Sequence, residues 1–260
     1  MKLNNLIWSG CSLSFGSGFI DESNHSDVVK WMDSKLIKSN IKTTDEAKKW
    51  VKNISFPNQL GNLLGVDITY NLSVHGYGVE PQLRKLLSFI INNSPSTDHT
   101  LIGFQIPNLS RIELIDNTTH PFKWLNMGSV LHSEHQGVGY TFFKENYNLT
   151  LHQIKMLFEI WKFKKIVSEM GYKTIFIEFA CYDSIKSINY DCGVDINKLN
   201  NWEHEEVKFP NTTELIEYIN VLSINEIFDT FKSEGINNDL HFSENGHTQI
   251  SNYLYNFLTK

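Results

Sequence analysis

The 260-residue chain is poor in several things that would otherwise announce a function. It has three cysteines, Cys11, Cys181 and Cys192, an odd number at no spacing that a metal site uses. That argues against a disulfide-built scaffold and against a zinc module, and the three read as reduced thiols. No stretch approaches eighteen consecutive apolar residues, so no membrane-spanning segment is expected. The opening "MKLNNLIWSGCS" lacks the long apolar centre of a signal peptide and reads as a first strand, which makes a cytoplasmic location the expectation. Asn-x-Ser/Thr triplets such as that at Asn71 then carry no glycan message. Positive charge is sparse: the net charge is -6, and Lys and Arg cluster no further than scattered Lys-Lys pairs. No nucleic-acid partner is expected on that footing.

What is present is ordinary for a globular protein: 41% hydrophobic, 20% charged and 13% aromatic residues. The length suits one domain with a sizeable core, and no repeat, low-complexity tract or linker divides it, so 1–260 reads as a single domain. Short apolar runs alternate with helical patterns. Strands are expected at 5–10, 66–73, 100–106, 172–180 and 217–224. Helices are expected at 27–39, 43–54, 80–92, 149–171 and 243–260. The long helix carries Leu151, Ile154, Leu157, Phe158 and Trp161 on one stripe and meets Gly171 at its stop. The last helix offers Ile250, Tyr253, Leu254, Phe257 and Leu258 as a core face. Strand–helix alternation with continuously apolar strands implies an α/β fold. The expected form is a three-layer αβα sandwich around a parallel sheet of roughly five strands, of flavodoxin-like type. Ligands in such folds bind beyond the carboxyl ends of the strands.

The stretch "LIWSGCSLSFGSGF" (6–19) ends the first strand and at once places Ser12 among small residues. A lone serine there would read as a turn residue. Near the other end, however, "NNDLHFSENGH" sets Asp239 and His241 just before the last helix. A nucleophilic serine needs a base to take its proton, and the base needs a carboxylate to fix its tautomer. Two further segments at expected strand ends offer donors for an oxyanion. "NLSVHGYG" has Gly76 and Gly78, and "FQIPNLSR" has Asn108 after the stiff Pro107, with Gln105 as its rival.

These four segments, in this order, resemble the motif blocks of the SGNH (GDSL-type) hydrolases. "GCSLSFGSG" looks like the first block, "NLSVHG" the second, "IPN" the third and "DLHFSENGH" the fifth. The resemblance implies Ser12 as nucleophile, Ser12, Gly76 and Asn108 as the oxyanion hole, and Asp239 and His241 as the rest of a triad. It implies a serine esterase or acyl hydrolase that forms an acyl-enzyme, needs no cofactor or metal, and acts on O-acyl carbohydrates, small esters or lipids. The chain departs from the family pattern at three points. Cys11 precedes the serine where aspartate is common, a single residue separates Asp239 from His241, and Ile-Pro-Asn-Leu stands for Gly-x-Asn-Asp.

Other features read more plainly. "HSEH" (132–135) lacks a third ligand at readable spacing and is expected to be a polar loop. It lies in an aromatic-rich insertion, about 120–147, of the kind that serves as a lid or binding loop. Trp124 and Tyr140 within it, and His75 beside Gly76, are candidate substrate contacts. His247 is expected to pack at a helix start, and Arg111 and Glu113 to form a structural ion pair. Two other readings stay open: a phosphate-binding module of flavodoxin-like architecture, and a catalytically silent relative that binds a carbohydrate or other ligand. The first segment lacks both the P-loop ending and the dinucleotide glycine spacing.

Overall fold

Residues that alternate between two buried faces build the central sheet of this computed structural model, which describes residues 2–11, 14, 54–74, 77–107, 109, 111–116, 123–129, 149–179, 212–224, 242 and 244–260. The described strands are β1 (Asn5–Ser9), β2 (Ile68–Asn71), β3 (Thr100–Ile106), β4 (Arg111–Asp116), β5 (Lys123–Ser129), β6 (Lys173–Glu178) and β7 (Leu222–Ser223). The α-helices are α1 (Phe56–Leu64), α2 (Val79–Asn93), α3 (Leu149–Glu169), α4 (Thr212–Ile219) and α5 (Glu244–Thr259). Five strands form one parallel sheet in the order β2-β1-β3-β6-β7, while β4 and β5 pair antiparallel as a separate two-stranded unit. The parallel sheet of about five strands expected from the apolar runs is therefore present.

Both faces of the sheet are covered, which is what a continuously apolar strand requires. On one side Ile7, Ile102, Phe104, Ile106 and Phe176 join buried residues of α2, α3 and α4. On the other, Leu6, Trp8, Leu101, Ile175 and Ile177 meet Phe56 and Leu60 of α1 and Ile250 and Leu254 of α5. The period-two alternation along β1 and β3 thus feeds two distinct cores. Gly103 sits mid-strand because the Trp8 indole lies across it, and a Cβ there would fall on the ring.

Several boundaries differ from the sequence reading. The segment 217–224, expected as a strand, is the end of α4 followed by a two-residue β7. Leu215, Ile216 and Ile219 have helical spacing, and Asn220, at φ 49°, ends the helix before the chain extends. Helix α1 was not foreseen: Gly61 and two asparagines lower its local propensity, and it is held by tertiary contacts. In α3 the buried apolar residues are Met156, Leu157, Ile160, Phe163 and Val167, with Phe158 and Trp161 only partly covered. In α5 Gly246, His247, Ile250, Ser251 and Leu254 are buried, while Tyr253 and Phe257 are exposed. Part of the insertion, 123–129, is a strand paired with 111–116. The helix expected over 27–39 lies outside the described residues, as do all but the last residue of that expected over 43–54 and the "HSEH" cluster. Among the described residues no helix is long and apolar enough to cross a membrane.

Candidate active site

Chain direction locates the crevice. From β1 the chain moves to β2 on one side, then to β3 on the other, so the topological switch point lies between β1 and β3. Ligands of open parallel sheets bind at the carboxyl ends of such neighbours. Here those ends are Gly10 and Cys11 after β1, and Pro107 and Leu109 after β3.

A buried polar network fills this end of the sheet. Gln105, on β3, is 1% exposed, and its Oε1 accepts three bonds from the segment that follows β1. The Cys11 backbone N–H donates at 3.0 Å, the Ser14 hydroxyl at 3.2 Å and the Cys11 thiol at 3.2 Å. The other half of the amide, Nε2, donates to the Ile106 carbonyl at 2.7 Å. That orientation is forced, because a flipped amide would set N–H against N–H at Cys11. Ser14 Oγ in turn accepts from Trp8 Nε1 at 3.2 Å, and the Ser14 N–H donates to the Cys11 carbonyl at 3.1 Å. Gly10 makes room for all of this: a Cβ there would lie 2.7 Å from Ser14 Oγ and 2.8 Å from both Cβ and Oε1 of Gln105.

A second set of bonds ties the loop after β2 to the same place. Ser9 Oγ donates to Gln82 Oε1 at 2.7 Å, and Gln82 Nε2 donates to the Val74 carbonyl at 3.0 Å. The Val74 N–H donates to the Gly10 carbonyl at 3.1 Å. Asn71 Nδ2 donates to the Ser14 carbonyl at 3.0 Å and to Ser55 Oγ at 2.9 Å, while its Oδ1 accepts from the Ser73 N–H at 3.1 Å. The carboxyl ends of β1, β2 and β3 are thereby cross-braced by the buried amides of Gln105 and Gln82 and the half-buried amide of Asn71.

The last motif segment reaches the same end of the sheet. Phe242 is buried, with its ring 4.9 Å from that of Phe179, which directly follows β6. His247, one turn into α5, is a packing residue as expected. Its ring stacks on Phe56 at 5.9 Å, and its Nδ1 accepts the Phe56 N–H at 3.1 Å. At β6, Glu178 is buried and accepts from Ser223 Oγ at 2.7 Å, tying down β7.

Of the residues singled out from sequence, Ser12, His75, Gly76, Asn108, Tyr140, Asp239 and His241 lie outside the described residues. Trp124 stands in β5, opposite Ile115 of β4. Arg111 and Glu113 belong to β4, and their side chains are likewise outside the description. Gly78 precedes α2 with φ -82°, a conformation open to any residue. Gln105, the rival oxyanion donor, has its amide committed to Cys11, Ser14 and Ile106. Sequence reading missed the bracing roles of Gln105, Gln82, Asn71 and Ser14. The one available signal was a glutamine inside the otherwise apolar strand "TLIGFQI".

No family model matches the chain. No curated protein matches it either. Solved structures do show similarity. One is of a carbohydrate esterase whose active site is described as displaying divergent catalytic and non-catalytic binding functions. It has 15% identity and a TM-score of 0.49, and the match covers 99% of this chain and 68% of that one. Another is a psychrotrophic esterase from Pseudoalteromonas sp., at 13% identity and a TM-score of 0.46, covering 98% and 97% of the two chains. A third, from Desulfitobacterium hafniense DCB-2 and assigned to the G-D-S-L lipolytic family, has 11% identity and a TM-score of 0.43, covering 97% and 98%.

Proposed function

We propose that the chain is a serine ester hydrolase of the SGNH type that cleaves O-acyl esters through an acyl-enzyme. Ser12 attacks the ester carbonyl, and His241 takes the hydroxyl proton and returns it to the leaving alcohol. Asp239 holds the imidazole in the tautomer that can accept. The N–H groups of Ser12 and Gly76 and the Asn108 amide receive the negative charge of the tetrahedral intermediate. Water then attacks the acyl-enzyme, with His241 again as base. The substrate is an acylated carbohydrate, a small ester or a lipid. The strand pair β4–β5, which leaves the sheet just past Pro107, forms one wall of the cleft, with Trp124, Tyr140 and His75 as substrate contacts.

One observation carries the reading. The described neighbours of all four motif segments gather at the carboxyl end of a single parallel sheet. Cys11 and Ser14 flank Ser12 in sequence, Val74 and Tyr77 flank the second block, Pro107 and Leu109 flank Asn108, and Phe242 follows His241. Cys11 is bonded to Gln105, Val74 to Gly10, and Phe242 packs on Phe179. That placement of flanking residues, from segments up to about 230 residues apart in sequence, supports a site at the strand ends where an open α/β sheet binds ligand.

The test is covalent. A fluorophosphonate incubated with the protein is expected to leave one adduct, located on Ser12 by mass spectrometry. The adduct should disappear in Ser12→Ala and form far more slowly in His241→Ala. Asp239→Asn should fold normally and lose roughly 10³–10⁴-fold in turnover, because the amide stabilises the wrong imidazole tautomer. A folded wild-type protein that takes no label on Ser12 would instead be a binding protein on a hydrolase-like frame.

A further inference from the structure

We propose that Gln105 is a positioning residue that sets the conformation of the chain between Gly10 and Ser14, and with it the aim of the Ser12 hydroxyl. The inference rests on the reading of Ser12 as nucleophile. It assigns Gln105 a different task from the oxyanion donor that its sequence position suggested.

A glutamine in the middle of a parallel sheet must find partners for both halves of its amide or cost the fold dearly. Gln105 Nε2 donates to the Ile106 carbonyl on its own strand, while Oε1 finds its partners on one short segment at a neighbouring strand's exit. Its Oε1 gathers the Cys11 N–H at 3.0 Å and the Ser14 hydroxyl at 3.2 Å. These two residues bracket Ser12 and Leu13. The Ser14 N–H to Cys11 carbonyl bond at 3.1 Å closes the same bracket along the backbone. Trp8 Nε1 holds the Ser14 hydroxyl from the other side at 3.2 Å, so that this hydroxyl is fixed as acceptor from Trp8 and donor to Gln105. The carbonyl of Ser14 is held by Asn71 at 3.0 Å. Gln105 Oε1 alone receives three bonds from Cys11 and Ser14. Gly10 completes the device, since any side chain there would push into Ser14 Oγ and Gln105.

This arrangement has a catalytic consequence. A nucleophile displaced by about 1 Å from its attack geometry costs on the order of 10²-fold in rate. A scaffold for Ser12 therefore need not touch substrate to govern turnover. It must hold the two flanking residues, which is what the Gln105 amide does. The Cys11 thiol, donating to the same oxygen at 3.2 Å, fits this use: cysteine replaces the aspartate common in the family at a position where a carboxylate would meet the glutamine's acceptor oxygen.

The experiment uses the full chain with Gln105→Met, which keeps the side chain's length and removes both polar atoms. Three quantities are read: the urea midpoint, hydrogen exchange at the Cys11 amide, and the second-order rate of fluorophosphonate labelling on Ser12. The expected result is a folded protein whose Cys11 amide exchanges at least about tenfold faster and whose labelling rate falls about 10–100-fold. A merely structural role would lower the midpoint and leave the reactivity of the folded fraction unchanged. A folded Gln105→Met protein that labels at the wild-type rate therefore overturns the proposal. If that variant fails to fold, Ser14→Ala leaves the glutamine in place and removes one of its donors. A labelling rate about threefold or more below wild type then supports the proposal, and an unchanged rate overturns it. If wild type itself takes no label, the esterase reading fails, and Cys11 exchange alone decides whether Gln105 sets this segment: faster exchange upholds the clamp, and unchanged exchange rejects it.

Discussion

At the scale of single residues, buried amides stand at the carboxyl ends of the central strands. Gln105 and Gln82 face the strand ends, whereas Trp8, Phe104 and Phe176 fill the middle. Tyr172 is buried away from the site. It is 6% exposed, and its hydroxyl donates to the Pro95 carbonyl at 2.7 Å. Burial raises its pKa above the ordinary value of 10.0, because the phenolate would lose solvation. A raised folded-state pKa gives stability that is complete below the unfolded value and lost as pH climbs through the folded one. Tyr172→Phe should therefore cost about 1 kcal/mol at pH 8. That gap between the two proteins should shrink above about pH 10. Urea denaturation at both pH values measures it, and a gap that does not change with pH would mean the hydroxyl is not buried in this way.

At the scale of elements, helices that are weak in isolation are completed by side chains from distant parts of the chain. Helix α4 ends with carbonyls of Tyr218 and Ile219 that accept from Lys164 Nζ of α3, at 2.8 and 2.9 Å. Burial lowers the lysine's pKa, yet the helix C-terminus and the faces of Phe176 and Tyr218 still receive its charge. Helix α1 begins with no side-chain bond from its own cap residue Ser55, and the Phe56 N–H is taken instead by His247 Nδ1. That bond places the imidazole proton on Nε2 and keeps the ring neutral. His247→Leu should leave a buried N–H without its acceptor and destabilise the fold by about 1–3 kcal/mol. His247→Gln, which can still accept, should recover part of the loss. Hydrogen exchange across 56–60 should quicken in the leucine variant, and equal stability of the two variants would show the effect to be packing alone.

At the scale of the whole molecule, the two ends of the chain close one face together. Helix α5 packs on α1, Ser251 Oγ donates to the Phe56 carbonyl at 3.1 Å, and Ile250 and Leu254 are wholly buried against the β1–β3–β6 face. Burying two such side chains is worth about 3–6 kcal/mol together. The capping bond of His247 adds to that, and a domain's total stability is only about 5–15 kcal/mol. Deleting residues 244–260 should therefore abolish cooperative unfolding and expose Trp8. Binding of an apolar dye and a red-shifted tryptophan emission would report it. A truncated chain that still unfolds cooperatively would show that the opposite face, under α2, α3 and α4, carries the fold alone.

How much of this was legible beforehand depends on range. The apolar runs of β1, β3 and β6, the amphipathic stretches of α2, α3 and α5, and hence a parallel sheet covered on both faces all followed from local periodicity, because period reports which face is buried. The four motif segments and the chemistry they suggest were likewise read from residue types and order alone. Periodicity says nothing of which partner a buried polar group meets. The bond from Gln105 to Cys11 spans 94 residues and that from His247 to Phe56 spans 191. Both exist only because strand order sets β3 beside β1 and α5 beside α1. The same limit explains the missed helix α1 and the strand expected over 217–224, where α4 ends. Their local propensities are weak or ambiguous, and tertiary contacts decided them. Sequence determined that a serine would follow the first strand. Only the packed sheet decided that a glutamine from the third strand would hold the residues on either side of it, because a buried amide must bond to whatever the fold brings within 3 Å.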